Sequence, residues 1–177
     1  MKLLLSLILL NLAFTQYSIV QSDSKVEYSG KHPMHTFKGE SSSIIVYSDC
    51  NKSKSICDLK FRVPIISLNS GNDNRDSNML NYLEAFSYPE IILEADNFEV
   101  KEYNSKLSSF EITIHGVSQI VTMPLTVEKI GSNQYQVQSK FSILLDEFNI
   151  PVPKLLFIPI DNEIRVNVSL LIKEDSF

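Results

Sequence analysis

The chain has 177 residues, 44% hydrophobic and 21% charged, and its 16 basic against 21 acidic residues give a formal net charge of -5. That is about one domain of sequence, too apolar and too varied for a disordered chain. The basic residues are scattered singly, so the clustered patch that phosphate contacts require is missing and nucleic-acid binding is excluded.

Met1 to Thr15 reads as an export leader. Lys2 supplies the positive start, LLLSLILLNLAF supplies the apolar run, and Ala13-Phe14-Thr15 offers small residues where a signal peptidase reads, predicting cleavage before Gln16. The run falls short of the about 20 residues that cross a bilayer, which tells against the rival reading of an uncleaved anchor. Residues 16–177 are expected to form one domain, periplasmic or secreted.

Beyond residue 25 the dominant signal is period-two alternation, the mark of strands with one buried face. In chain order the candidate strands are Lys25–Lys31, Ser43–Ser48, Leu59–Val63, Glu90–Asp96, Phe110–His115, Ile120–Lys129, Tyr135–Ile143 and Ile164–Ile172. The last is the clearest: Ile164, Val166, Val168, Leu170 and Ile172 alternate with Arg165, Asn167, Ser169, Leu171 and Lys173. One stretch breaks the pattern. Ser67 to Arg75 is a polar loop, after which Met79, Leu80, Leu83 and Phe86 fall at helical spacing before Pro89. This predicts a short helix over Asp76–Phe86, with Asp76 as its N-cap and an apolar face able to cap one end of a barrel. A second irregular segment surrounds Ile150-Pro151-Val152-Pro153.

Cys50 and Cys57 are the only cysteines. In an exported chain they are expected to form a disulfide across a polar hairpin tip. His32, His35 and His115 are the only histidines. In a strand, the spacing of His32 and His35 would put their rings on opposite faces, so no metal site is expected. Asp146 and Glu147 read as solvated turn residues, and no serine sits in a Gly-x-Ser-x-Gly elbow, so no catalytic residue is assigned.

Half-buried antiparallel strands must hide an apolar face and deal with their edges. Closing the sheet into a barrel does both, while a two-sheet sandwich satisfies the same alternation. An eight-stranded barrel is either filled by its own side chains or holds one small ligand. The inward residues are Phe61 and Val63, Ile91 and Leu93, Phe110, Ile112 and Ile114, Phe141 and Ile143, and Val166 and Val168. They are either core or the lining of a cavity suited to a hydrocarbon chain.

Several short motifs, taken in order, resemble the YceI-like family. They are Gly30-Lys31-His32-Pro33-Met34-His35-Thr36-Phe37-Lys38-Gly39, Asn74-Arg75-Asp76-Ser77-Asn78-Met79-Leu80, Phe86-Ser87-Tyr88-Pro89-Glu90-Ile91, Ile112-Thr113-Ile114-His115-Gly116-Val117 and Phe148-Asn149-Ile150-Pro151. The resemblance runs over roughly residues 25 to 174. The chain departs from the pattern in having no Trp, in the Cys50/Cys57 segment and in its long polar loop before Arg75. The resemblance implies an all-β, eight-stranded antiparallel lipocalin-like barrel with one short helix. It further implies an exported carrier of an isoprenoid or fatty-chain lipid, without cofactor or catalysis, in transient contact with membranes. The eleven inward residues would contact the lipid, and His35, Arg75 and Asp76 would hold its head group. The alternative is a structural or interaction module whose filled barrel acts through its surface.

Overall fold

The computed structural model describes residues 15–51, 56–155 and 157–176; the expected leader up to Phe14 lies outside the described residues. Strands β1 (Thr15–Ile19), β2 (Lys25–His32), β3 (His35–Ser41), β4 (Ile45–Asn51) and β5 (Ile56–Pro64) precede helix α1 (Asp73–Tyr82). After it come β6 (Glu90–Glu99), β7 (Tyr103–Ile114), β8 (Val117–Lys129), β9 (Gln134–Leu144), the two-residue β10 (Lys154–Leu155) and β11 (Ile158–Pro159), and β12 (Glu163–Ser176).

Ten of these strands form one antiparallel sheet in the order β3-β2-β12-β9-β8-β7-β6-β5-β4, with β1 also on β12. The sheet curls until its ends meet, because β3 and β4 are successive pieces of one descending segment. β3 pairs with β2, and β4 pairs with β5. In the same way β2 runs along Arg165–Ser169 of β12 and β1 along Ile172–Ser176. Two broken strands therefore occupy one position each, and ten strands fill eight positions around the barrel. The breaks are sealed locally. Glu40 and Asn69 exchange two backbone hydrogen bonds of 2.9 Å, and the Tyr17 N–H donates to Ser48 Oγ at 2.9 Å.

All eight expected strands are present, and the alternation missed two more of the large sheet, β1 and β3, besides the two-residue β10 and β11. In β3 the inward positions hold Phe37, Gly39 and Ser41, so there is no apolar alternation to detect. The place of a side chain on Gly39 is taken by the Tyr28 ring from β2, and reciprocally the Phe37 ring lies where a side chain on Gly30 would be. β1 starts at Thr15, the last residue assigned to the leader.

The helix begins earlier than its apolar spacing predicts. Asn72, not Asp76, caps it, its side chain accepting from the Arg75 N–H at 3.0 Å. It also ends earlier, because Glu84 adopts a left-handed φ of 46°. Phe86 is thereby thrown off the expected apolar face and is fully exposed.

Cys50 and Cys57 face each other directly across β4 and β5 and are bonded. Closing so short a loop contributes about 2–3 kcal/mol in the chain-entropy model. One end of the barrel is plugged by aromatic packing: Phe98 lies 5.8 Å from Phe110 and 6.1 Å from Tyr103, centroid to centroid. The Tyr103 hydroxyl donates to the Glu99 carbonyl at 2.5 Å, so the plug buries no unpaired phenol.

Candidate ligand-binding cavity

Above the aromatic plug the barrel encloses a cavity of about 590 Å³, within the about 300–1,000 Å³ typical of small-molecule sites. The strand period aims alternate side chains into it. β5 contributes Phe61 and Val63, β6 Ile91 and Leu93, and β7 Phe110, Ile112 and Ile114. β9 adds Phe141 and Ile143, and β12 adds Val166 and Val168. All eleven residues expected to contact a lipid thus line one chamber. Phe61, Ile91, Leu93, Phe141, Val166 and Val168 are only half-buried although they point inward. Their remaining surface faces the cavity, which is how a lining differs from a packed core.

Sequence reasoning missed part of the wall. Met123 and Leu125 of β8 line it; so do Tyr28 and Phe37, and Met79 and Leu83 from the helical segment. The inward alternation of Met123, Leu125 and Val127 was the available signal.

The mouth lies at the end opposite the plug. It is framed by α1 through Asn74, Arg75, Asn78 and Tyr82, by the β2–β3 turn through His32 and His35, and by the β10–β11 hairpin through Lys154 and Leu155. The expected head-group residues separate here. His35 and Arg75 line the mouth and Asp76 does not. Asp76 instead accepts the Ser70 N–H at 3.1 Å with both oxygens, fastening the loop in front of the helix. Arg75 donates from Nε to Ser70 Oγ at 2.9 Å, and its guanidinium sits 5.7 Å from the centre of the Phe37 ring.

His32 and His35 are not on opposite faces. Pro33 and Met34 make a tight turn, His32 pairs with His35 across the hairpin, and the ring centroids are 5.4 Å apart. His32 is buried and His35 exposed.

His115 sits apart from the cavity, its Nδ1 3.2 Å from the Phe148 carbonyl and its ring against Tyr88. Tyr88 lies over Gly116, where a side chain would collide and where φ is +73°. The Tyr-Pro and Gly-Val motifs therefore meet in one contact. Asp146 accepts from the Asn162 side chain at 2.6 Å and is part of a turn. Among the described residues no three His, Cys, Asp or Glu side chains converge as a metal site would need.

A curled antiparallel barrel with one helix beside the mouth of an apolar chamber defines a lipocalin-like architecture. The YceI-like domain model matches residues 17–172, and the chain belongs to that family. Among solved structures the chain is similar to BcnA of Burkholderia cenocepacia, with TM-score 0.73 and 18% identity over 87% of this chain and 99% of that one. A polyisoprenoid binding domain from Saccharophagus degradans gives TM-score 0.68 and 15% identity over 90% and 98% of the two chains. The Campylobacter jejuni YCEI protein gives 0.61 and 16% over 80% and 85%. At these identities the likeness is one of fold. No curated protein sequence matches the chain.

Proposed function

We propose that this protein is an exported carrier that holds one isoprenoid or fatty-chain amphiphile in its barrel and performs no chemistry on it. The observation that carries the reading is the chamber of about 590 Å³, walled by apolar side chains that retain surface toward it. Each buried methylene is worth about 0.8 kcal/mol, so a long tail binds tightly with little polar help. The Saccharophagus degradans neighbour, named for polyisoprenoid binding, supports a lipid of that kind. The Cys50–Cys57 bond supports a periplasmic or secreted site of action, since structural disulfides persist in oxidising compartments. No cofactor enters the reading.

Membrane contact is brief and occurs at the mouth. Met34 at the β2–β3 turn and Leu155, Phe157 and Ile158 of the β10–β11 hairpin are exposed apolar residues. Phe157 is held outward on a left-handed backbone, φ 69°. Organic extraction of the purified protein followed by mass spectrometry is expected to recover a long-chain lipid at up to one per chain. Protein that yields none, and that takes up none when offered, contradicts the reading.

A further inference from the structure

We propose that the mouth seats on a bilayer at two separate points, and that the lipid crosses directly between chamber and membrane while it is seated. This rests on the carrier reading and adds to the hairpin a second apolar point, Ile66 and Phe86. Ile66 is 80% exposed and Phe86 fully so. Both lie in the connection from β5 to β6 that carries α1, and the Ile65 N–H, donating to the Pro89 carbonyl at 2.9 Å, ties its two ends together. The β10–β11 hairpin, with Leu155, Phe157 and Ile158 exposed, lies in the connection from β9 to β12. In the sheet order β12 and β6 are four places apart, and so are β9 and β5, which is half of the eight positions around the barrel. The two points therefore stand on opposite sides of the mouth.

Neither point is a loose end. The Ser87 and Tyr88 N–H groups both donate to the Glu84 carbonyl, at 2.8 and 2.9 Å, closing a tight turn that carries Phe86. Glu84 (φ 46°) and Phe157 (φ 69°) hold left-handed backbone. That conformation strains a residue with a side chain, and such strain gathers at functional sites. Two aromatic rings are thus fixed in water on opposite sides of the entrance.

A bilayer fits these points better than a folded partner does. A protein interface buries a contiguous apolar centre within a polar rim. Here the order is reversed, because the apolar points flank a mouth framed by Asn74, Arg75, Asn78 and Lys154. A fluid surface accepts separated points, and it is also where an apolar chain resides. Release through water would expose every methylene that the chamber buries, and seating removes that step. Charge does not drive the contact. Arg75 and Lys154 at the mouth are outnumbered by Asp73 and Asp76 in the first turn of α1 and Glu84 beyond its end. Lys31 and Asp161, joined by a backbone hydrogen bond of 2.8 Å beside the hairpin, offset each other. No cationic face forms, so the seat depends on apolar burial and not on anionic lipid.

The chain has no Trp, so Phe86→Trp and Phe157→Trp each give the mature protein a single reporter. On phosphatidylcholine vesicles both emissions should shift to the blue, in low and in high salt, and added phosphatidylglycerol should not strengthen the response. Transfer of a fluorescent fatty alcohol from loaded protein to vesicles carrying a quencher should speed up in proportion to vesicle concentration, the signature of transfer on contact. Phe86→Ser and Phe157→Ser should each slow it about tenfold, the lower end of what burying one aromatic side chain is worth, with the alcohol's affinity for the protein unchanged. Leu107→Ser, at an exposed apolar residue of β7 toward the closed end, should leave the rate alone. A transfer rate that ignores vesicle concentration overturns the proposal and leaves the carrier reading standing. So does a blue shift for Phe157→Trp alone, which makes the hairpin the whole seat, and so does binding that salt abolishes. Reporters that stay in water on every vesicle overturn it too and leave the two points to a protein partner. A protein that takes up no alcohol removes both readings.

Discussion

The two ends of the barrel are built on different principles. At the closed end Phe98, Tyr103 and Phe110 meet ring to ring, and long neighbouring strands, β7 with β8 and β9 with β12, continue their ladders past them. At the mouth the chain supplies a ten-residue helix, a tight His32–His35 turn and a two-residue hairpin, none of which fills the space between the strands. Protein interiors are normally packed to the density of organic crystals. A barrel packed that way at one end and roomy at the other has a floor and an entrance, and only the floor has to carry stability.

That asymmetry predicts unequal costs. Phe110→Ala, which opens the floor, is expected to destabilise the ligand-free protein by about 3–5 kcal/mol in urea unfolding; a loss below about 1 kcal/mol would mean the plug is not where stability resides. Asn72→Ala removes the cap of the helix at the mouth and should cost only about 1 kcal/mol, while speeding lipid exchange measured by stopped-flow fluorescence. Equal costs at the two ends would erase the distinction.

The smallest effect is expected at the seam between β1 and β4. Burial first, and then the charges of Glu174 and Tyr135, push the Tyr17 hydroxyl up to about 12 from its ordinary 10.0. Its proton is held more tightly in the folded state, so the contribution is intact below the unfolded value and is lost as pH rises from there toward the folded value. Thermal melts should therefore show a modest loss of stability between about pH 10 and 12 that Tyr17→Phe reduces. An unchanged pH profile in Tyr17→Phe would remove the seam from the account.

The same division governs what was legible in the sequence. β7, β9 and β12 declare themselves because residues such as Ile112, Phe141 and Val166 alternate with polar neighbours, and that alternation also located the cavity wall. The mouth obeys no period. β3 places Gly39 inward because the Tyr28 ring covers it, a cross-strand fact that β3 alone does not display. The helix start was misplaced because Asn72 and Asp76 are both competent caps, and only the fold shows Asp76 engaged by the Ser70 N–H. The spacing of His32 and His35 predicts opposite faces only for two residues of one strand, and the two-residue turn at Pro33-Met34, which alternation does not register, pairs them across a hairpin instead. Whether inward residues touch each other or surround space is a matter of distances across the barrel, which alternation does not encode.

The decisive question is whether the middle of the barrel has room. Val166 is half-buried and faces the chamber from β12. Urea unfolding of ligand-free Val166→Phe, set beside its titration with an 18-carbon amphiphile, reads this directly. The chamber predicts a stability within about 1 kcal/mol of the parent together with lost or sharply weakened lipid binding. A barrel already filled by its own side chains would instead be strained by about 1–3 kcal/mol, with no binding to lose, and that result would contradict the account.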